Sequence, residues 1–108
     1  MKKKSINLQD NIDCELMYEK ANNEFKNPCD YLVKGAVRLR TCEATVTETK
    51  NFYILSSYRT NIACIDKKTH ILYDYLRFVY GYTATSERHI SKFAHDYKAL
   101  SIKRWYRY

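Results

Sequence analysis

Glu43-Ala44-Thr45-Val46-Thr47-Glu48-Thr49-Lys50-Asn51-Phe52-Tyr53-Ile54-Leu55-Ser56-Ser57-Tyr58 reads as a β-hairpin. Residues 43–49 are rich in β-branched side chains, Lys50-Asn51 suits a tight turn, and the aromatic and aliphatic run after it resumes strand chemistry. Thr60 to Ile65 extends or follows this strand. Asp66-Lys67-Lys68-Thr69 then reads as a turn, with His70-Ile71-Leu72-Tyr73 starting the return strand. Two successive hairpins define an antiparallel sheet. Upstream, from Asp30, the pattern has period two. Tyr31, Val33, Val37 and Leu39 fall on one side and Lys34, Arg38 and Arg40 on the other, with Gly35 marking a bulge or bend.

The apolar residues of 72–80 fit either a strand or a short helix. The strand is the favoured reading, and Gly81 ends the segment either way. At 86–98, Ile90, Phe93, Ala94 and Tyr97 make an apolar stripe behind a Thr85 or Ser86 cap, which predicts a helix with Arg88, Lys92 and His95 on its outer face. A second helix is predicted over 11–26 from Ile12, Leu16, Met17, Ala21 and Phe25, stopped by Asn27-Pro28. It either packs on the sheet or stands off as an arm. The tail from Ser101 to Tyr108 is a last edge strand or a mobile end. The expected fold is α+β: an antiparallel sheet of four to five strands packed with a C-terminal helix, plus an N-terminal helix. Residues 1–28 form a basic leader and helical arm and 29–108 the domain, with the second face of the sheet as its working surface.

A length of 108 residues allows one domain and excludes large catalytic architectures. The formal charge of +7 is unevenly spread: residues 1–30 carry five basic and six acidic groups, residues 31–108 fourteen and six. The positive field therefore belongs to the main body and favours polyanionic partners. No apolar run is long enough to span a membrane, and Met1-Lys2-Lys3-Lys4 leads into no signal-peptide core, so a cytoplasmic protein is expected. Cys14, Cys29, Cys42 and Cys64 have no metal-ligand spacing and read as reduced thiols, Cys64 acting as a small hydrophobe in a strand.

Cations interleaved with aromatic rings toward the C-terminus match the chemistry that holds single-stranded nucleic acid: cations track phosphate and rings stack on bases. The expected contact residues are Lys34, Arg38 and Arg40 on the first strand, Arg88 and Lys92 on the helix, and Lys103, Arg104, Trp105 and Arg107 in the tail, with Trp105 stacking. The competing reading has solvated cations and tyrosines filling the rim of a small core. His70, His89 and His95 belong to no hydrolase or metal signature, and Gly35 and Gly81 cannot build a phosphate loop. No enzymatic activity, metal or cofactor is expected.

Ser57-Tyr58-Arg59-Thr60-Asn61-Ile62-Ala63, then Leu72-Tyr73, then Tyr82-Thr83-Ala84-Thr85-Ser86-Glu87-Arg88-His89-Ile90-Ser91-Lys92-Phe93 resembles a pattern of small uncharacterised proteins of bacteriophages and mobile elements of Gram-positive bacteria. The resemblance carries no activity and implies scaffold roles for Tyr58, Thr60, Tyr73, Thr85, His89 and Phe93. A mobile-element origin raises a second function, a stoichiometric inhibitor of a host defence complex of the anti-CRISPR type. The expected partners are nucleic acid or a nucleoprotein, a host defence protein in the second reading, and a second copy of the chain through an exposed strand edge.

Overall fold

The computed structural model describes residues 8–40, 43–81 and 83–107. The basic leader, Cys42, Tyr82 and Tyr108 lie outside them. The order is α1 (Leu8–Lys26), α2 (Pro28–Tyr31), β1 (Leu32–Arg38), β2 (Ala44–Thr49), β3 (Phe52–Ser57), β4 (Thr60–Asp66), β5 (Ile71–Asp74), α3 (Leu76–Val79), α4 (Ala84–Asp96) and β6 (Ser101–Arg104). The strands form one six-stranded sheet in sequence order. The first five are an antiparallel meander, and β6 pairs parallel with β5 after the helical crossover such a pairing requires. The α+β class is as the sequence predicts, with the tail supplying the sixth strand.

Side chains alternate across the strands, and both faces of β3 and β4 are apolar. Leu55, Ala63, Ile65 and Leu72 form one core with Ile90 and Phe93 of α4. Phe52, Ile54, Cys64 and Tyr73 form the other with Cys14 and Ala21 of α1 and with Trp105. The sheet is thus covered on both sides. α1 is a layer of the fold rather than an arm, and it packs on the face expected to be the working surface.

The packed side of α1 also differs from the one its apolar spacing predicts. Ile12, Leu16 and Phe25 are exposed, while Asn11, Cys14, Ala21 and Glu24 are buried. The facing sheet surface is already filled by large rings, so small residues allow close approach. The polar pair is buried because each side chain is satisfied. Asn11 donates to the Tyr106 carbonyl at 2.8 Å and accepts from its N–H at 2.9 Å. Glu24 accepts from Thr49 Oγ1 at 2.7 Å and from Asn51 N and Nδ2 at 3.1 and 2.6 Å.

The favoured strand over 72–80 ends at Asp74. There the buried carboxylate accepts the Leu76 N–H at 3.1 Å, turning the chain into the one-turn helix α3. β1 is exposed along its whole length, because it lies at the sheet edge and two register shifts, one beside Gly35, break its alternation. α4 starts on Thr83, whose side chain accepts the Ser86 N–H. It stops with Lys98 in the left-handed region and Ala99 N donating to Ala94 O at 2.9 Å, a Schellman closure.

A chain starting at Pro28 leaves Phe52, Ile54, Cys64, Tyr73 and Trp105 uncovered on one face. It is expected to lose its cooperative thermal transition and to bind a hydrophobic dye. A melt as sharp as that of the full chain would show α1 to be dispensable.

Candidate functional site

The tail does not form the predicted surface. Trp105 is only 9% exposed: its ring packs on Phe78, with centroids 5.2 Å apart, and its Nε1 donates to Glu15 Oε2 at 2.9 Å. It cannot stack on a base without leaving the core. Lys103 Nζ donates to Asp13 Oδ2 at 2.9 Å, and that bond raises the Lys103 pKa while holding Asp13 below the usual carboxylate range. Arg104 Nε lies 3.1 Å from Asp74 Oδ2 and 3.6 Å from Glu87 Oε1. Burial pushes the Asp74 carboxyl up, against the Leu76 N–H and the Arg104 and Arg77 guanidinium groups that pull it down. These cations compensate buried or half-buried carboxylates inside the fold.

The other predicted cations are dispersed. Arg40 donates to both oxygens of Asp96, whose pKa this bond lowers to about 2. Lys34 is exposed at the sheet edge with Glu48 as its strand partner, and Arg107 is exposed beyond β6. Arg88 and Lys92 share one face of α4, one turn apart. Arg38 opens onto a concavity.

That concavity lies at the end of the sheet that carries the β3–β4 turn. Arg38, Thr45 and Ser56 are successive strand partners across β1, β2 and β3, so they line one row on one face. With Glu43, Ala44, Tyr58 and Arg59 they bound a groove of about 340 Å³. Ser56 Oγ is bonded to Asn61 Oδ1, and Asn61 Nδ2 donates to Asn22 of α1 at 3.2 Å, which fixes the groove floor. The lining therefore holds two arginines, Thr45, Ser56 and the 61% exposed Tyr58, against the single carboxylate of Glu43. The set suits a phosphate-bearing, planar-ringed molecule.

Tyr58 and Arg59 form the two-residue turn between Ser57 and Thr60, both with positive φ (49° and 72°), the hairpin geometry that glycine and asparagine favour. A left-handed conformation costs an ordinary residue roughly 1–2 kcal/mol, so this turn holds strain and presents a ring and a cation at its tip. Beneath the tip, β4 carries a bulge at Ile62 that re-aims its side chain into the α4-side core.

On the α4 side of the turn, Ser57 Oγ lies 2.8 Å from His89 Nδ1 and 3.2 Å from Ser86 Oγ, and all three residues are buried. The Tyr58 ring packs on the His89 imidazole at 5.9 Å. Burial lowers the His89 pKa, Lys92 lowers it further, and Glu43 opposes them. The imidazole is therefore neutral at neutral pH. His95, the other helical histidine, lies beside Asp96 and Arg40, away from this cluster.

Of the contact residues expected from sequence, Arg38, Arg88 and Lys92 lie toward this end, and Arg59, Tyr58, Ser57 and Ser86 were not among them. The available signal was the pair of segments Ser57-Tyr58-Arg59-Thr60 and Thr85-Ser86-Glu87-Arg88-His89, which the resemblance cast as scaffold and whose spacing does not show that they meet.

Two of the described thiols, Cys14 and Cys64, are buried, and Cys29 is exposed. Cys14, Cys29 and Cys64 are free, and burial pushes the Cys14 thiol up to about 12. No helix among the described residues is long and apolar enough to cross a membrane. Fold and site together define a small two-helix-layer α+β protein with a cationic, tyrosine-bearing hairpin end. The chain belongs to the family of unknown function DUF8033, whose model matches residues 4–106. No curated protein and no solved structure matches it.

Two outcomes follow from this geometry. His89 has a folded pKa below its ordinary 6.5, so the unfolded chain takes up the proton first; the stability is complete above about pH 6.5 and falls as pH drops below it. His89→Gln should flatten the thermal midpoint between pH 7 and 5 relative to the parent, and an unchanged slope would place the dependence elsewhere. Arg59→Gly should leave stability unchanged or raise it by up to about 1 kcal/mol in urea titrations, since relief of the left-handed strain offsets the entropy of glycine. A loss larger than that would mean that the side chain itself stabilises the turn.

Proposed function

We propose that this is a small, non-enzymatic binding protein that contacts nucleic acid or a nucleoprotein through the basic and aromatic hairpin end, encoded by a bacteriophage or mobile element and working in the cytoplasm of its bacterial host. The observation that carries this reading is the groove whose lining brings together Arg38, Arg59 and the exposed Tyr58. Arg88 and Lys92 on α4 extend the positive field around the turn. Cations there neutralise phosphates with little sequence preference, and the phenol ring offers a stacking face. The contact set differs from the one expected from sequence in giving no part to Lys103, Arg104 or Trp105.

Fluorescence anisotropy with a labelled single-stranded oligonucleotide over a salt series tests it. Replacing Arg38 and Arg59 together by alanine should weaken binding and reduce the salt slope by about 1.4, at ~0.7 per phosphate contact on a single strand. Tyr58→Ala should cost about 1–3 kcal/mol. A double variant with the parent's affinity and slope would sink the reading.

A second reading, a stoichiometric inhibitor of a host defence complex, draws on the exposed Leu8, Ile12 and Leu16, which recur every four residues on α1 away from the sheet. Protein capture that survives nuclease and high salt favours it over the first.

A further inference from the structure

Around the turn from the groove, Ser57, Thr60 and Ile62 face Tyr80 and Ser86 across a separate cavity of about 60 Å³, with Tyr58 forming part of its wall. A water needs roughly 10–15 Å³ and a benzene ring fills a cavity of about 150 Å³. The space is therefore sized for a small polyatomic group and excludes a nucleobase. Five of the six lining side chains end in a hydroxyl and none is acidic. Tyr58 and Tyr80 are 61% and 65% exposed and border its open side, while Ser57 and Ser86 are buried at its floor.

The floor has a proton inventory that favours an oxyanion. Each serine offers one donor and two lone pairs. With the cavity free of an anion, neutral His89 can accept the Ser57 proton at Nδ1, and Ser57 can accept the Ser86 proton across 3.2 Å, so both hydroxyl protons point inward. A protonated His89 reverses the chain. Its Nδ1–H donates to Ser57 Oγ, and the two serine protons are released toward the cavity, where only an acceptor-rich ligand can use them. The charges acting on the imidazole are those of Lys92 and Glu43, with Arg88 preceding it on α4, while Arg59, beside Tyr58 in the turn, lines the groove instead. The balance is positive, so a negative ligand is favoured over a neutral one of the same size.

We infer that this cavity binds one phosphate group, held by the hydroxyls of Ser57, Thr60, Ser86, Tyr58 and Tyr80 and neutralised through Ser57 by protonated His89. The ligand is a phosphate monoester or inorganic phosphate. This goes beyond the groove reading and does not require it.

The test is an NMR titration of the imidazole signals of the full chain between pH 5 and 8, with inorganic phosphate replacing chloride at constant ionic strength. His89 should titrate higher by about one pH unit in phosphate, as expected for an opposite charge within ~4–6 Å, with His70 and His95 unmoved. Ser86→Ala and Tyr80→Phe, each checked for an intact melt, should abolish or halve that response. The Arg38 and Arg59 double variant should retain it, so failure of the groove reading leaves the result intact. Oligonucleotides with a 5′-phosphate or a 5′-hydroxyl separate the sources. Tighter binding of the phosphorylated strand, lost in Ser86→Ala, assigns a chain terminus; equal binding with the His89 response preserved assigns free phosphate. The inference is overturned if His89 does not move at about 10 mM phosphate, ten times a Kd of ~1 mM, or moves equally in both variants.

Discussion

The rest of the structure depends on keeping β3 and β4 dry on both faces. Ile54 pairs with Cys64 on one side and Leu55 with Ala63 on the other, and all four are fully buried. Strands apolar on both sides are stable only between two covering layers. That requirement draws α1 across one face and α4 across the other, from opposite ends of the chain. It also sets where function can sit, because α1 leaves open the corner bounded by Arg38, Thr45 and Ser56. The first turns of α4 reach the β3–β4 end, where Ser86 meets Ser57.

The same arrangement sorts the cations into two populations. Asp74 is fully buried, and Arg104 and Arg77 lie 3.1 and 3.9 Å from it, with Glu87 3.6 and 3.9 Å from the same two arginines. Taking a carboxylate out of water costs several kcal/mol unless it is paired, so these arginines are committed to joining β5, α3, α4 and β6. Lys103 and Arg40 are similarly engaged with Asp13 and Asp96. The cations that remain around the β3–β4 end sit beside a turn whose two central residues are left-handed without being glycine. Charge available for binding and strained backbone coincide there, a combination typical of recognition surfaces.

Much of the fold was legible because local chemistry is strong there. β-Branched runs, the turns at 50–51 and 66–69, and the stripe Ile90, Phe93, Ala94 and Tyr97 each speak for one element. The buried side of α1 was not legible. Its apolar residues occupy two faces, and the choice between them rests on partners far along the chain: Tyr106 for Asn11, Thr49 and Asn51 for Glu24. Trp105 was misplaced for a related reason. A tail alternating cations with rings looks the same in sequence whether its partners are phosphates or the carboxylates of Asp13, Glu15 and Asp74.

By itself the sequence determined most of the secondary structure, the α+β class and the sign of the field, because propensity, periodicity and net charge are properties of neighbouring residues or of the whole composition. Only the tertiary structure decided which charges are neutralised, which rings are exposed, and that Arg38 and Arg59, or Ser57, Ser86 and His89, stand together. These outcomes depend on distances between segments about twenty to thirty residues apart, and electrostatic and hydrogen-bond energies are set by distance and burial rather than by order along the chain.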